Sequence, residues 1–262
     1  INIVLDLLFI GVLGYGVAAA AFATIISQSV SAILAFSKLM RSKEAWAVSW
    51  HKVRFDGPML HGVILQGLPS GIQNSVISLA NVIVQANINS FGALAMAGCG
   101  SYSKVEGFAF LPVTCFSMAL ATFVSQNVGG GKQERIPKIS WECMIIVFII
   151  GAVMGNAAYH FGDHLLRIYS SDPEVIQYGL IRMQLICQVY FLCGMMDVTV
   201  GILRGMGDAI MPMIMSLAGA CGLRVLWIFT IFRWNHSLFV LFLSYPITWA
   251  VTFAAQLTCL LI

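Results

Sequence analysis

Uncharged apolar runs of roughly twenty residues, separated by short clusters of glycine and charge, recur along the whole chain and predict about seven membrane-spanning helices. Residues 7–37 carry no charge, and GVLGYG at 11–16 divides them. The tail of one span (1–10) then precedes a full one (17–37). Residues 38–56 hold five Lys/Arg and two Trp, the composition of a cytoplasmic loop or an interfacial amphipathic helix, with a solvated connector as the plainer alternative. Residues 57–103 contain no Asp, Glu, Lys or Arg. One long span over 58–90 is expected there, followed by a tight outer connection over 92–100.

The 58–90 span is unusually polar. Gln66, Gln73, Asn74, Asn81 and Gln85 fall mainly on one helical stripe, since steps of seven and four return to one face. Facing lipid they would be costly, so they are expected to meet other helices or a water-filled cavity. Pro69, in GLPSG, marks where this helix can bend.

The next span, 107–131, is preceded by Lys104 and Glu106, interrupted by Pro112, and closed by Gly129, Gly130 and Gly131 ahead of a second basic loop with Lys132, Arg135 and Lys138. GGGK invites a phosphate-loop reading. A P-loop needs GxxxxGK[ST] after a strand, whereas a membrane helix precedes this one and Gln follows the lysine. A span over 139–161 follows, then a mildly acidic connector (162–174) in which Asp172, Pro173 and Glu174 signal a helix start. That helix is expected over 175–204, with the turn RGMGD (Arg204, Gly205, Gly207) before spans at 209–232 and 238–262.

Composition agrees with this pattern. The chain is 59% hydrophobic and 10% charged, with mean hydropathy +0.88, against about 25% charged in soluble domains. An all-α polytopic membrane bundle in contact with the lipid bilayer is the fold class this implies. Net charge is only +3 and no basic run interleaves with aromatic residues, which excludes a nucleic-acid surface. The seven cysteines show no CxxC or Cys/His spacing, and the five histidines no HExxH, so no metal site and no cofactor is expected. No paired acid/base constellation of an intramembrane enzyme is visible. There is no initiator Met and the chain stops inside an apolar run, from which a fragment of a larger protein is expected.

Basic residues also orient the bundle. The loops at 38–56, 129–138 and 204–208 hold nine Lys/Arg (38, 41, 43, 52, 54, 132, 135, 138, 204), and the alternate loops hold three (104, 167, 233). The positive-inside rule puts the first set in the cytoplasm.

The candidate chemistry centres on Asp197. A carboxylate within an apolar span costs roughly 2.5–3.5 kcal/mol on insertion scales, which makes it a functional-site hypothesis. It lies on the stripe Met183, Cys187, Tyr190, Gly194, Asp197, Gly201, Arg204, whose glycines would allow a helix or substrate to approach closely. Tyr190 would offer a hydroxyl or ring face to a cation. The alternative is a structural pairing of Asp197 with Arg182 or Arg224. Helix rise places Arg224 and Arg182 nearer the depth of Glu106, so these three are read as structural or gating charges. Met183, Met195, Met196, Met206, Met211, Met213 and Met215 would suit an adaptable surface, with ordinary packing the plainer alternative. Phe108, Phe110, Phe116 and Phe123 are read as packed or lipid-facing.

Residues 1–28 and 222–256 share a plan of apolar span, short outer connection and Ala-rich span with a glutamine, as internal repeats of secondary transporters do. Beyond this, NIVLDLLFIGVLGYGVAAAAFATIISQ (2–28), GLPSGIQ (67–73), FVSQNVGGGK (123–132) and LRGMGD (203–208) occur in order across nearly the whole chain. Together they resemble the multidrug and toxic compound extrusion (MATE) transporters.

The resemblance implies a two-lobed, twelve-helix antiporter of the plasma (bacterial inner) membrane, acting as a monomer when full length. Residues 1–37 would end the N-terminal lobe, 38–56 would link the lobes, and 57–262 would form the C-terminal six-helix lobe. It implies efflux of drug-like organic cations or amphipathic toxic compounds against Na⁺ or H⁺. A flippase of lipid-linked polysaccharide precursors is the alternative in the same superfamily, though it would want a larger and more basic cavity. Asp197 matches a position where the family's membrane carboxylates carry the coupling ion, and Gln73, Asn74, Asn81 and Tyr190 are grouped with it. The acid some members carry on the preceding Gln/Asn-rich helix is absent here.

Overall fold

A computed structural model describes residues 1–43, 47–49, 51 and 53–261. The chain divides into two compact units, residues 1–60 and 61–262. In the first unit, α1 (Asn2–Asp6) runs into a π-helical turn (Leu7–Val12), and α2 (Val17–Arg41) packs back on it. Asn2 Nδ2 donates to Thr24 Oγ1 at 3.3 Å. α2 continues four residues past the expected end at 37, because Lys38 and Arg41 suit the negative end of the helix dipole. Of the expected basic connector, residues 44–46, 50 and 52 lie outside the described residues.

The helices after it are α3 (Gly57–Asn89), α4 (Ala93–Gly129), α5 (Ile136–His160), α7 (Pro173–Ile186) continued by α8 (Tyr190–Gly205), α9 (Ile210–Ser216) continued by α10 (Arg224–Phe229) and α11 (Ile231–Trp234), and α12 (Leu238–Leu261). The short α6 (Gly162–Arg167) lies between α5 and α7. There Arg167 bonds Asp163 at 2.7 Å and holds its carboxyl below the usual range. Among the described residues six helices are long and apolar enough to cross a membrane, so this is a multi-pass membrane protein. The polar α3 is not one of them, although its 33 residues span about 50 Å.

Local signals account for several boundaries. The Asp172 carboxylate accepts from Glu174 N at 2.9 Å and Pro173 opens α7. Asp208 caps the next span by accepting from the backbone of Ile210 and Met211, after Gly207 reverses the chain at φ +100°. Gly129 to Gly131 end α4, with Gly131 at φ +69° and Lys132 N bonded to Asn127 O at 2.8 Å. The triple glycine is therefore a helix terminator.

Two expectations are corrected. Residues 93–100 are helical, so α4 begins at Ala93 and the connection is confined to Ser90–Gly92; Lys104 and Glu106 then sit inside the helix. The Ala/Gly-rich stretch that mimics a turn serves close packing: a Cβ at Gly98 would lie 2.4 Å from Val175 O of α7. Nor does Pro112 interrupt α4, which runs through it.

The α7–α8 segment is the most buried of the six spans and packs against α4, α5 and α12. Small residues make the approach possible. Gly155 of α5 faces the Cys187 carbonyl, Gly151 faces Phe191, and Gly201 and Gly205 face the Ser117 and Ala121 carbonyls of α4. In lipid, where helix association has little hydrophobic drive, such contact is what dispersion and polar bonds require. A 3₁₀ turn at Cys187–Val189 and a π-helical stretch at Leu217–Leu223 break the two composite spans. Irregular turns of this kind concentrate at functional sites.

Candidate functional site

The π stretch lines, and the 3₁₀ turn leads through Tyr190 into, one cavity of about 630 Å³, set between α3, α4, α7–α8, the π stretch with α10, and α12. α3 supplies Asn74, Asn81 and Gln85 from one helical face, with the Gln85 amide donating to Asn89 Oδ1 at 2.9 Å. α4 supplies Ser103, Glu106 and Phe110; α7 and α8 supply Arg182, Tyr190, Cys193, Met196 and Asp197. Ala220, Cys221 and Arg224 follow from the π stretch, and Tyr245 and Trp249 from α12.

The charges divide into two kinds. Glu106 is engaged: it accepts the Tyr190 hydroxyl at 3.1 Å and lies 3.8 Å from Arg182 Nη2. Arg182 is buried, its guanidinium over the rings of Tyr102 at 4.6 Å and Phe242 at 5.3 Å. Asp197 is half-buried, and among the described residues no ion pair or hydrogen bond reaches its carboxylate. Its backbone carbonyl accepts from Ser117 Oγ at 2.8 Å. Neither Arg182 nor Arg224 pairs with it. Arg224 instead lies 3.9 Å above the Tyr245 ring and donates to Thr248 Oγ1 at 3.3 Å.

Aromatic rings line one wall in sequence. Phe110 meets Tyr190 edge-on at 5.2 Å, Tyr190 meets Trp249 at 5.9 Å, and Trp249 meets Tyr245 at 5.6 Å.

Of the residues expected together, Asp197, Tyr190, Asn74 and Asn81 share the cavity and Gln73 does not. Gln73 is buried beyond it, donating to Ser216 Oγ at 2.9 Å and accepting from Arg204 Nη2 at 2.7 Å. Gln256 also donates to Ser216, at 3.1 Å, and Gln66 to the Gly207 carbonyl. Four side chains from α3, α8, α9 and α12 thus form a polar cluster at the RGMGD end of the lobe.

Other expectations also change. Tyr190 offers its ring to the cavity, but its hydroxyl is already given to Glu106. Gly194 and Gly201 do not open the site, since they are filled by Val113, Val147 and Ser117 of α4 and α5. α8 is buried nearly all round, so one stripe serves both packing and cavity. Glu106 pairs with Arg182 and not with Arg224. Of the methionines singled out, Met196 alone lines the cavity, and of the four phenylalanines only Phe110. Tyr245 and Trp249 carry no sequence signal beyond residue type, and only tertiary packing brings them in. No group of three or more potential metal ligands occurs among the described residues.

A multi-pass helical bundle with a polar, aromatic-walled cavity at the breaks of two composite spans has the construction of a membrane transporter lobe. The MatE family profile matches residues 69–230, and the chain belongs to that family, one of transporters and not of enzymes. It is 26% identical to "Probable multidrug resistance protein YpnP" of Bacillus subtilis over 86% of this chain and 50% of that protein. Against "Probable multidrug resistance protein NorM" of Thermotoga maritima it is 30% identical, over 82% of this chain and 47% of that protein. The chain thus spans about half the length of the curated relatives it matches. Its fold follows an outward-facing multidrug resistance MATE family transporter with TM-score 0.85 and 19% identity, covering 99% of this chain and 58% of that one.

Proposed function

We propose that the protein carrying this chain is a secondary-active exporter, which exchanges organic cations or amphipathic toxic compounds for inward Na⁺ or H⁺. Asp197 is the group at which coupling ion and drug compete. One observation carries this reading: among the described residues no hydrogen bond or ion pair reaches the half-buried Asp197 carboxylate, whereas Glu106 in the same cavity has two such partners. A lone carboxylate in hydrocarbon is costly, and a mobile cation is the partner that can come and go. The amides of Asn74, Asn81 and Gln85 replace hydration around that cation, and the rings of Phe110, Tyr190 and Trp249 give an apolar wall to flat drugs. The multidrug resistance names of the relatives support the same reading.

The same proposal places the basic loops in the cytoplasm of an inner membrane, residues 1–37 at the end of a first lobe, 38–56 as its linker and 57–262 as the second lobe, in a protein working as a monomer. The cavity balances two carboxylates, Glu106 and Asp197, with two arginines, which suits cation exchange better than the basic chamber a flippase of polyanionic lipids needs. Ethidium efflux from cells expressing the full-length protein, with Na⁺ and pH gradients varied separately, tests it. Efflux driven by one of the two gradients is expected. No efflux under either gradient would turn the assignment towards the flippase.

A further inference from the structure

Arg224 is 4% exposed, yet it lines the cavity and has no carboxylate within ion-pair distance among the described residues. Its one hydrogen bond, to Thr248 Oγ1, is long, and its Nε has no partner. Thr248 already donates to the Tyr245 carbonyl at 3.1 Å, so it neutralises nothing. A buried guanidinium left short of acceptors is costly, and it persists where something else meets it. Two features hold it in place: the Tyr245 ring beneath it, and the π-helical stretch Leu217–Leu223 immediately before it, which shifts the residues that follow off the regular helical face.

The wall of rings ends at this guanidinium. It runs from Phe110 through Tyr190 and Trp249 to Tyr245, so a flat molecule lying along it has its edge at Arg224. The other arginine is committed to Glu106.

We infer that Arg224 is an oxyanion subsite, and that the cavity therefore accepts aromatic compounds bearing a carboxylate or phosphate as well as cations. This rests on the reading of the cavity as the substrate chamber. Guanidinium presents two parallel donors to either oxyanion, and a ring stacked on its far face leaves those donors free. The anion would sit away from Asp197, whose charge repels it, and with its ring on the Trp249 wall.

Binding to the purified full-length protein, followed by anthracene fluorescence, tests this with a matched set: anthracene-9-carboxylate, anthracen-9-ylmethyl phosphate, anthracen-9-ylmethylammonium and uncharged 9-methylanthracene. At least one of the two anions is expected to bind the wild type on the order of tenfold or more tighter than the neutral ring, as a charge-assisted bond implies. The larger margin tells carboxylate from phosphate. Arg224→Gln is expected to erase the margin while leaving the ammonium compound bound, and Arg224→Lys to keep part of it. If neither anion outbinds 9-methylanthracene in the wild type, or if the margin survives Arg224→Gln, the subsite does not exist. The wild-type comparison needs no variant to fold. Failure here with the ammonium compound still bound leaves the Asp197 assignment intact, and loss of ammonium binding alone would do the reverse.

Discussion

The Tyr190 hydroxyl donates to Glu106 Oε1 across 3.1 Å, tying α8 to α4 at the rim of the cavity. Glu106 reaches Arg182 of α7 as well, so one carboxylate joins the two halves of the composite α7–α8 span to their neighbour. Asp197, two turns further along α8, has no such tie: among the described residues no hydrogen bond or ion pair reaches its carboxylate.

Glu106 and Arg182 should therefore behave as structural partners. Glu106→Gln or Arg182→Gln alone leaves its partner's charge buried, and each is expected to lower stability by about 1–3 kcal/mol, less than a fully buried pair because Glu106 is part exposed. Replacing both should cost less than the sum of the single changes. Thermal unfolding in detergent, followed by thiol labelling of the buried cysteines, gives the three values. Strict additivity would show that the two side chains do not interact.

Two glycines of α4, two residues apart, should respond oppositely to alanine. At Gly98 a Cβ would meet the Val175 carbonyl at 2.4 Å and Tyr178 Cβ at 2.9 Å, and backbone cannot step aside cheaply. Gly98→Ala is expected to cost ~1–3 kcal/mol through overpacking. Gly100 has nothing within 4 Å, so Gly100→Ala should be neutral or stabilise the helix by up to ~1 kcal/mol. Equal losses in a side-by-side melting experiment would contradict the close α4–α7 packing.

Ser216 accepts from two amides, Gln73 of α3 and Gln256 of α12. Ser216→Ala strands both in a buried site and is expected to destabilise the lobe by ~1–3 kcal/mol. Ser216→Thr, which keeps the hydroxyl, should lose less despite its added methyl. A Ser216→Ala protein with an unchanged melting temperature would show that the cluster is not a structural tie.

Much of this architecture is legible in the sequence because its signals are local. Asp172–Pro173 marks the start of α7, and Gly207 with Asp208 marks the turn before α9, since cap and turn chemistry is settled within a few residues. The start of α4 is not legible. Gly92 to Gly100 has the composition of a turn, and only contact with α7 shows that Gly98 is there for close approach. The site divides in the same way. Asn74, Asn81 and Asp197 stand out as polar groups at membrane depth, whereas Gln73 shares their stripe and is drawn away by Arg204 and Ser216. Depth along a helix can be counted at 1.5 Å per residue, but azimuth is lost wherever a 3₁₀ or π turn intervenes. Such a π stretch stands directly before Arg224, which lies apart from the Glu106–Arg182 pair.

The central claim, that Asp197 and not Glu106 takes the coupling ion, is most directly tested by gradient-driven ethidium accumulation in proteoliposomes containing the full-length protein. Wild type, Asp197→Asn and Glu106→Gln are compared at equal folded amounts, under imposed Na⁺ and H⁺ gradients. Asp197→Asn is expected to lose accumulation on the order of tenfold or more under the gradient that drives the wild type, as for removal of a charged partner, while Glu106→Gln retains most of it. Accumulation by Asp197→Asn equal to that of the wild type would contradict it.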